Sequence, residues 1–317
     1  MGTATRVPQR RDVRGEELSG DEAWAALRRY GGWKLARDSF VRFRYADGFS
    51  HSRALALQTV LSIVPMAIAV IGLSGVLHTE GIGRVAELTI GRITSGPSQD
   101  MVDEALRESR RHAGDGGQAA LWLGLAFSLV NITTSLCQVE RGANRIYGNE
   151  RDRPFLLKYS RGLVMAALAG LPLGLSFVLT VLGSDLTRAF AQVYDLTPGT
   201  VHAWELLRIP VGVLLAVLAT SAIFRLSPRR DQPGYTWLAF GAVVYLVLWL
   251  TATWALTLYV GASSSFTSVY GPLSAIMALL LWSYLTSVAL FLGLSFAAQL
   301  EAVRAGTAEP ATGDPGL

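Results

Sequence analysis

Six long apolar runs constrain this chain more than any other feature. They cover Ala54–Leu77, Ala119–Val139, Gly162–Gly183, Ile209–Phe224, Tyr235–Val260 and Pro272–Leu300. A helix needs about 20 apolar residues to cross the ~30 Å of hydrocarbon in a bilayer. Backbone amides meet no water there, so the chain must pair them internally, and runs of this length do so as helices. The expectation is an all-α polytopic membrane protein with six transmembrane helices. The fourth run is the shortest. Arg208 and Arg225 bound it, and both can snorkel to an interface. The first run begins too late and is too long for a cleaved signal peptide.

Composition agrees. The chain is 51% hydrophobic and 16% charged, whereas a soluble domain carries about 25% charge. Mean hydropathy is +0.35. Of the 28 basic residues only Lys34 and Lys158 are lysine, a skew that points to a GC-rich bacterial genome. Twenty-one of the 28 fall in residues 1–53, 140–161, 225–234 and at Arg304. The other seven are Arg84, Arg92, Arg107, Arg110, Arg111, Arg188 and Arg208. The basic side is cytoplasmic by the positive-inside rule, which puts both termini in the cytoplasm. The net charge of +4 then reflects orientation and headgroup attraction, and no nucleic-acid partner is expected.

Three regions follow. Residues 1–32 are a polar, disordered cytoplasmic region, 33–303 the transmembrane domain, and 304–317 a disordered cytoplasmic tail. Within the second region, 33–45 has helical periodicity. Trp33, Ala36, Phe40 and Phe43 fall on one face, and Lys34, Arg37, Asp38 and Arg42 on the other. This is either an interfacial helix on the inner leaflet or a helix packed on the protein. In the outer loop 78–118, Pro97 opens a short amphipathic helix.

Catalytic patterns are missing. His51, His78, His112 and His202 are scattered, Cys137 is the single cysteine, and no zinc spacing, nucleophile elbow or phosphate loop is present. The expectation is a protein that is not an enzyme, with no metal and no cofactor.

Polar residues inside the spans are more informative. In the second span Asn131, Thr134, Ser135, Gln138, Arg141, Gly142 and Arg145 recur at helical spacing and form one stripe that ends at the cytoplasmic face. Polar groups facing lipid are costly, so the stripe should face the bundle interior or a wet cavity. It is either interhelical glue or a substrate path. Ser176, Thr180 and Ser184 share a face of the third span, and Ser283 and Ser287 a face of the sixth. Pro65 and Pro172 can kink their helices.

One block is distinctive: Glu140-Arg141-Gly142-Ala143-Asn144-Arg145-Ile146-Tyr147-Gly148, followed by Arg153-Pro154-Phe155. It resembles the YihY/BrkB family of bacterial inner-membrane proteins, whose second span ends in an Asn-Arg-x-Tyr-Gly signature before a basic loop. Tyr270-Gly271, Leu279–Tyr284 and the Ser62–Pro65 segment are similar to other recurrent blocks of that family. The resemblance covers about residues 33–303. One departure stands out: where the family often carries carboxylates and Asn at the end of its last span, this chain has Ser295, Ala297 and Gln299.

The resemblance implies three functions: envelope integrity with lipid translocation, virulence-associated scaffolding, and tRNA processing as a ribonuclease. The six-helix bundle and polar stripe favour the first, with membrane lipids as partners and a homo-oligomer compatible with it. The residues expected to line a path or bind a headgroup are Asn131, Ser135, Gln138, Arg141, Asn144, Arg145 and Tyr147. Arg145 offers a planar fork of donors suited to phosphate, and Tyr147 is expected at headgroup depth. Pro65, Gly148, Tyr270 and Gly271 are expected to be structural.

Overall fold

The structure, a computed structural model, describes residues 3–9, 19–76, 115–183, 187, 197–262 and 274–312, with backbone alone over 63–76 and 115–121. The outer-loop helix at Pro97, Ser184, Tyr270 and Gly271 lie outside the described residues.

Every regular element among the described residues is a helix. In chain order they are α1 (Gly20–Tyr30), α2 (Gly32–Tyr45), α3 (Gly48–Val76), α4 (Asp115–Ile146) and α5 (Phe155–Met165). A π-helical segment, Ala166–Gly170, leads into α6 (Leu171–Phe177), and a second, Val178–Leu182, follows it. Then come α7 (Pro198–Leu226), α8 (Tyr235–Ala262) and α9 (Ser274–Arg304). The protein is thus an all-α polytopic membrane protein. Among the described residues, five helical stretches are long and apolar enough to cross a bilayer: Trp122–Ile146, Phe155–Thr180, Gly199–Leu226, Tyr235–Val260 and Ile276–Arg304. The first apolar run lies in α3, which is 29 residues long.

The chain forms two compact units. The first comprises Met1–Val60, Ile132–Gly170 and Val217–Leu317, the second Leu61–Asn131 and Leu171–Ala216.

In the first unit, α8 and α9 pack backbone to backbone. A Cβ on Gly241 would sit 2.6 Å from the Gly293 carbonyl oxygen, and one on Gly293 would sit 2.6 Å from that of Gly241. Small residues at such a crossing let dispersion and weak polar contacts act where lipid supplies no hydrophobic drive. Trp282 donates to the Thr253 hydroxyl across the same pair at 3.2 Å. Helices α1 and α2 pack on α9.

The buried face of α2 is Leu35, Ser39, Arg42 and Phe43. Of the expected apolar face Trp33 and Phe40 are exposed, at 85% and 47%, and Phe43 is buried; the departure is Arg42, expected on the polar face and fully buried. The tails are corrected too. Residues 20–30, expected to be disordered, form α1, with Asp21 and Glu22 at its positive end and Arg28 and Arg29 at its negative end. The two ends of the chain pair with each other: Ala4 bridges Ala311, Thr5 N–H donates to Pro310 O at 3.1 Å, and Thr312 N–H to Thr3 O at 3.1 Å.

In the second unit, Arg208 departs from its expected place. It lies inside α7, where Nε donates to Glu205 Oε2 at 2.7 Å and Nη1 to the carbonyls of Leu179 and Thr180 at 3.2 and 3.5 Å. Those carbonyls belong to the second π segment, whose wider turns pair less regularly than an α-helix. Ser176 Oγ donates to Gly212 O at 2.7 Å. The irregularity expected at Pro172 takes the form of the π segment just before it: proline has no N–H to close an α turn.

Candidate functional site

The polar groups of the first unit gather where α4 ends. Helix α4 stops at Ile146, and Gly148 turns the chain with φ +71. A Cβ there would meet Arg6 Cα at 2.6 Å, so the residue both takes a left-handed conformation and lets the N-terminal segment cross it. Val7 N–H donates to Tyr147 O at 3.2 Å, which holds that segment in place.

Two buried arginines anchor the assembly. Arg42 Nε donates to Gln299 Oε1 at 2.8 Å. Its Nη1 donates to Thr5 O at 2.7 Å and Ile146 O at 3.0 Å, and its Nη2 to Thr5 Oγ1 at 2.9 Å. Burial pulls the Arg42 guanidinium down to about 10, with Tyr147 and Glu301 opposing the shift, so it stays charged at neutral pH. Arg230 is paired with Glu301 and also donates to Pro8 O at 3.0 Å. Its guanidinium lies over the Tyr147 ring at 4.4 Å, a cation–π contact. Tyr147 is fully buried, and burial raises its phenol well above the ordinary value.

A second cluster ties loop 147–154 to loop 227–234. Asn144 Nδ2 donates to Asp152 Oδ1 at 2.9 Å, and its Oδ1 accepts from Arg229 N–H at 2.7 Å. Lys158 Nζ reaches Asp152 Oδ2 at 2.8 Å, and Arg141 Nε lies 3.4 Å from the same oxygen. Burial pushes the Asp152 carboxyl upward. Hydrogen bonds from Lys158 and Asn144 and the charges of Lys158 and Arg141 outweigh that, holding it below the usual carboxylate range. Arg153 pairs with the buried Glu140 at 3.0 Å and donates to Ser227 O and Pro228 O at 2.8 Å each.

The expected site residues therefore separate. Gln138, Asn144 and Tyr147 face inward, and Gln138 Nε2 lies 3.1 Å from His51 Nδ1. Arg141 and Arg145 face outward. Asn131 and Ser135 are half-buried, and Asn131 Nδ2 donates back to Phe127 O at 2.9 Å. The stripe is not one interior face, because its arginines diverge from its amides over the last turns of α4. Tyr147, expected to present its polar tip at headgroup depth, is fully buried within the protein. Pro65 lies in α3 where only backbone is described. Hydroxyls bond within helices: Ser287 Oγ donates to Ser283 O at 2.8 Å.

Sequence reasoning missed Arg42, Asp152, Arg153, Arg230, Gln299 and Glu301 as site residues. For Arg42 a signal existed, since Leu35, Ser39, Phe43 and Ala46 mark a buried face that includes position 42. The loop residues have no periodicity to read. Where the expected carboxylates are replaced, Glu301 still supplies one at the end of α9. Among the described residues no three His, Cys, Asp or Glu side chains are grouped to hold a metal.

Comparison with known proteins places this arrangement. The profile described as virulence factor BrkB matches residues 39–315. The chain is 20% identical over 259 residues to the ribonuclease-like protein YfkH of Bacillus subtilis (strain 168), covering 81% of this chain and 91% of that protein. It is 26% identical over 282 residues to UPF0761 membrane protein Smlt0865 of Stenotrophomonas maltophilia (strain K279a), covering 84% of this chain. A relative from Xanthomonas axonopodis pv. citri, UPF0761 membrane protein XAC0937, is 25% identical over 286 residues. The chain spans 62% of the length of each of these two UPF0761 proteins. No solved structure matches. With five apolar helices of spanning length among the described residues and a family match over residues 39–315, this multi-pass membrane protein belongs to the BrkB virulence factor family.

Proposed function

We propose that this protein maintains the bacterial envelope from the inner membrane by passing a lipid or amphiphile, without enzymatic chemistry. The observation that carries the reading is the outward placement of Arg141 and Arg145 at the end of α4, while the residues between them are locked inside. Among the described residues the Arg145 side chain makes no hydrogen bond or ion pair, while its carbonyl accepts from Gly148 N–H at 3.0 Å. Its fork of donors suits a headgroup phosphate or carboxylate.

The proposal includes six spans with both termini cytoplasmic. Contacts within the first unit support it. Val7 bonds Tyr147 and Arg42 of α2 bonds Ile146, so the N-terminal region and the end of α4 share one side. Since α4 itself crosses, the chain between Tyr45 and Trp122 has to cross once more, and α3 has the length to do so.

The test is reconstitution into liposomes with a labelled-lipid scrambling or export assay. Wild type should exceed empty vesicles. Arg145→Ala should abolish activity while the protein inserts and folds normally, and Arg145→Lys should restore it in part. A fully active Arg145→Ala variant would remove the headgroup role. Wild-type activity equal to empty vesicles across lipid classes would favour a second reading, a non-transporting scaffold. The extent of the buried polar network suits that reading, since most of the polar side chains at the end of α4 are consumed by bonds within the protein.

A further inference from the structure

The segment from α1 through the start of α3 presents a surface that the polar assembly does not use. On α2, Trp33, Arg37, Phe40 and Arg44 are all exposed. At 100° per residue they fall within about 60° of one another, opposite the buried Leu35, Ser39, Arg42 and Ala46. Aromatic and basic side chains therefore alternate along one outward stripe. Helix α1 extends it: Trp24 is 54% exposed, and Arg28 and Arg29 beside it are exposed as well. Of the four acidic residues in this segment Asp21 and Asp47 are exposed, Glu22 pairs with Arg304 at 3.2 Å, and Asp38 accepts a hydrogen bond from Tyr30 at 2.7 Å.

Depth follows from the chain. Helix α3 begins at Gly48, and its apolar run begins at Ala54, six residues later. Six residues of helix rise about 9 Å. A headgroup layer is roughly 5–7 Å thick, so the α2 backbone lies near its outer edge, within an aromatic side chain's reach of the layer. The aromatic surface also runs on into α3: the Phe49 ring meets Phe40 at 6.4 Å and Phe43 at 4.9 Å. Helix α2 is fixed to the end of a membrane-spanning helix through Arg42 and Gln299, so it cannot swing into water freely.

We infer that the outward face of α1 and α2 docks on a bilayer surface carrying anionic lipid, with Trp24, Trp33 and Phe40 in the headgroup–acyl boundary and Arg28, Arg29, Lys34, Arg37 and Arg44 on the phosphates. Tryptophan is favoured at that boundary. Basic side chains near an anionic leaflet each add about 1 kcal/mol of attraction, or roughly fivefold in affinity. The stripe is thus a lipid sensor fixed to the end of α9, and it stands whether or not the protein passes lipid.

The experiment uses the full chain in nanodiscs, with Cys137→Ser as background and a spin label on Trp33→Cys, Phe40→Cys or Glu309→Cys. The discs contain phosphatidylcholine alone or with phosphatidylglycerol. The ratio of oxygen to nickel-chelate accessibility should be about threefold or more higher at positions 33 and 40 than at 309 in the anionic discs. Arg37→Glu with Arg44→Glu should erase the difference between the two lipid compositions. Equal ratios at all three positions would place the stripe in water and overturn the inference. Low accessibility to both reagents at 33 and 40 would mean that protein covers the face, which would overturn it too.

Discussion

Arg230 and Glu301 form an ion pair in which each side chain is only 1% exposed. Removing charges from water costs several kcal/mol apiece, so the pair persists because each partner neutralises the other. The Tyr147 ring and the Pro8 carbonyl add to what holds the guanidinium. Breaking one side leaves the other uncompensated. Arg230→Met and Glu301→Leu should each destabilise the purified protein by about 3–5 kcal/mol, and the double variant should recover most of the loss. Unfolding of the four proteins in one detergent reads this directly. Additive losses in the double variant would show that the two side chains act independently. Arg42 differs in kind: its bonds go to carbonyls, a hydroxyl and an amide, so it acts as a hub for backbone and not as half of an ion pair.

At the scale of elements, helix α2 shows how a short amphipathic segment can be misjudged. Its largest apolar side chain, Trp33, points away from the protein, and an arginine points in. The hydrophobic wheel groups Trp33, Phe40 and Phe43 on one face, yet only Phe43 of the three is buried. In a protein whose surroundings include lipid, an aromatic face has two places to go. The α8–α9 pair depends on the opposite property, the absence of side chains. Gly241→Val should be unable to keep the close approach, since even a Cβ would lie 2.6 Å from the Gly293 carbonyl oxygen and 2.8 Å from the Ala297 Cβ. Overpacking of this kind costs about 1–3 kcal/mol or more. The expected outcome is a lower melting temperature in detergent, with Gly174→Ala, which has open space around it, close to wild type. Equal melting temperatures for wild type and Gly241→Val would mean that the two helices pack differently.

The whole molecule carries a topological consequence. Arg153 bonds Ser227 and Pro228, Arg229 bonds Asp152, and Arg230 bonds Pro8, so loops 147–154 and 227–234 and the N-terminal segment share a side. On the orientation proposed from the arginine bias, that side is cytoplasmic. Reporter fusions at Glu150 and Gly234 should read cytoplasmic, and one at Gly116 should read external. A reversed reading at any of the three would break the six-span arrangement.

The sequence alone determined the fold class and the five spans that the structure describes, because hydrophobic length is a property of the chain itself and bilayer thickness is a fixed ruler. It also singled out the block ending in Asn144, Arg145, Tyr147 and Gly148 as the distinctive segment. What that block does to its surroundings was decided by tertiary structure. Periodicity along α4 put Gln138, Arg141 and Arg145 on one stripe, yet the neighbours of the last turns sort them: Asn144 and Tyr147 inward onto Arg229 and Arg230, Arg141 and Arg145 outward. Arg42, Asp152, Arg230 and Glu301 stand far apart in the chain and have no shared pattern. Their meeting depends on loops and helix ends brought together by packing, and the cost of a buried charge gives each of them its partner only after the chain has folded.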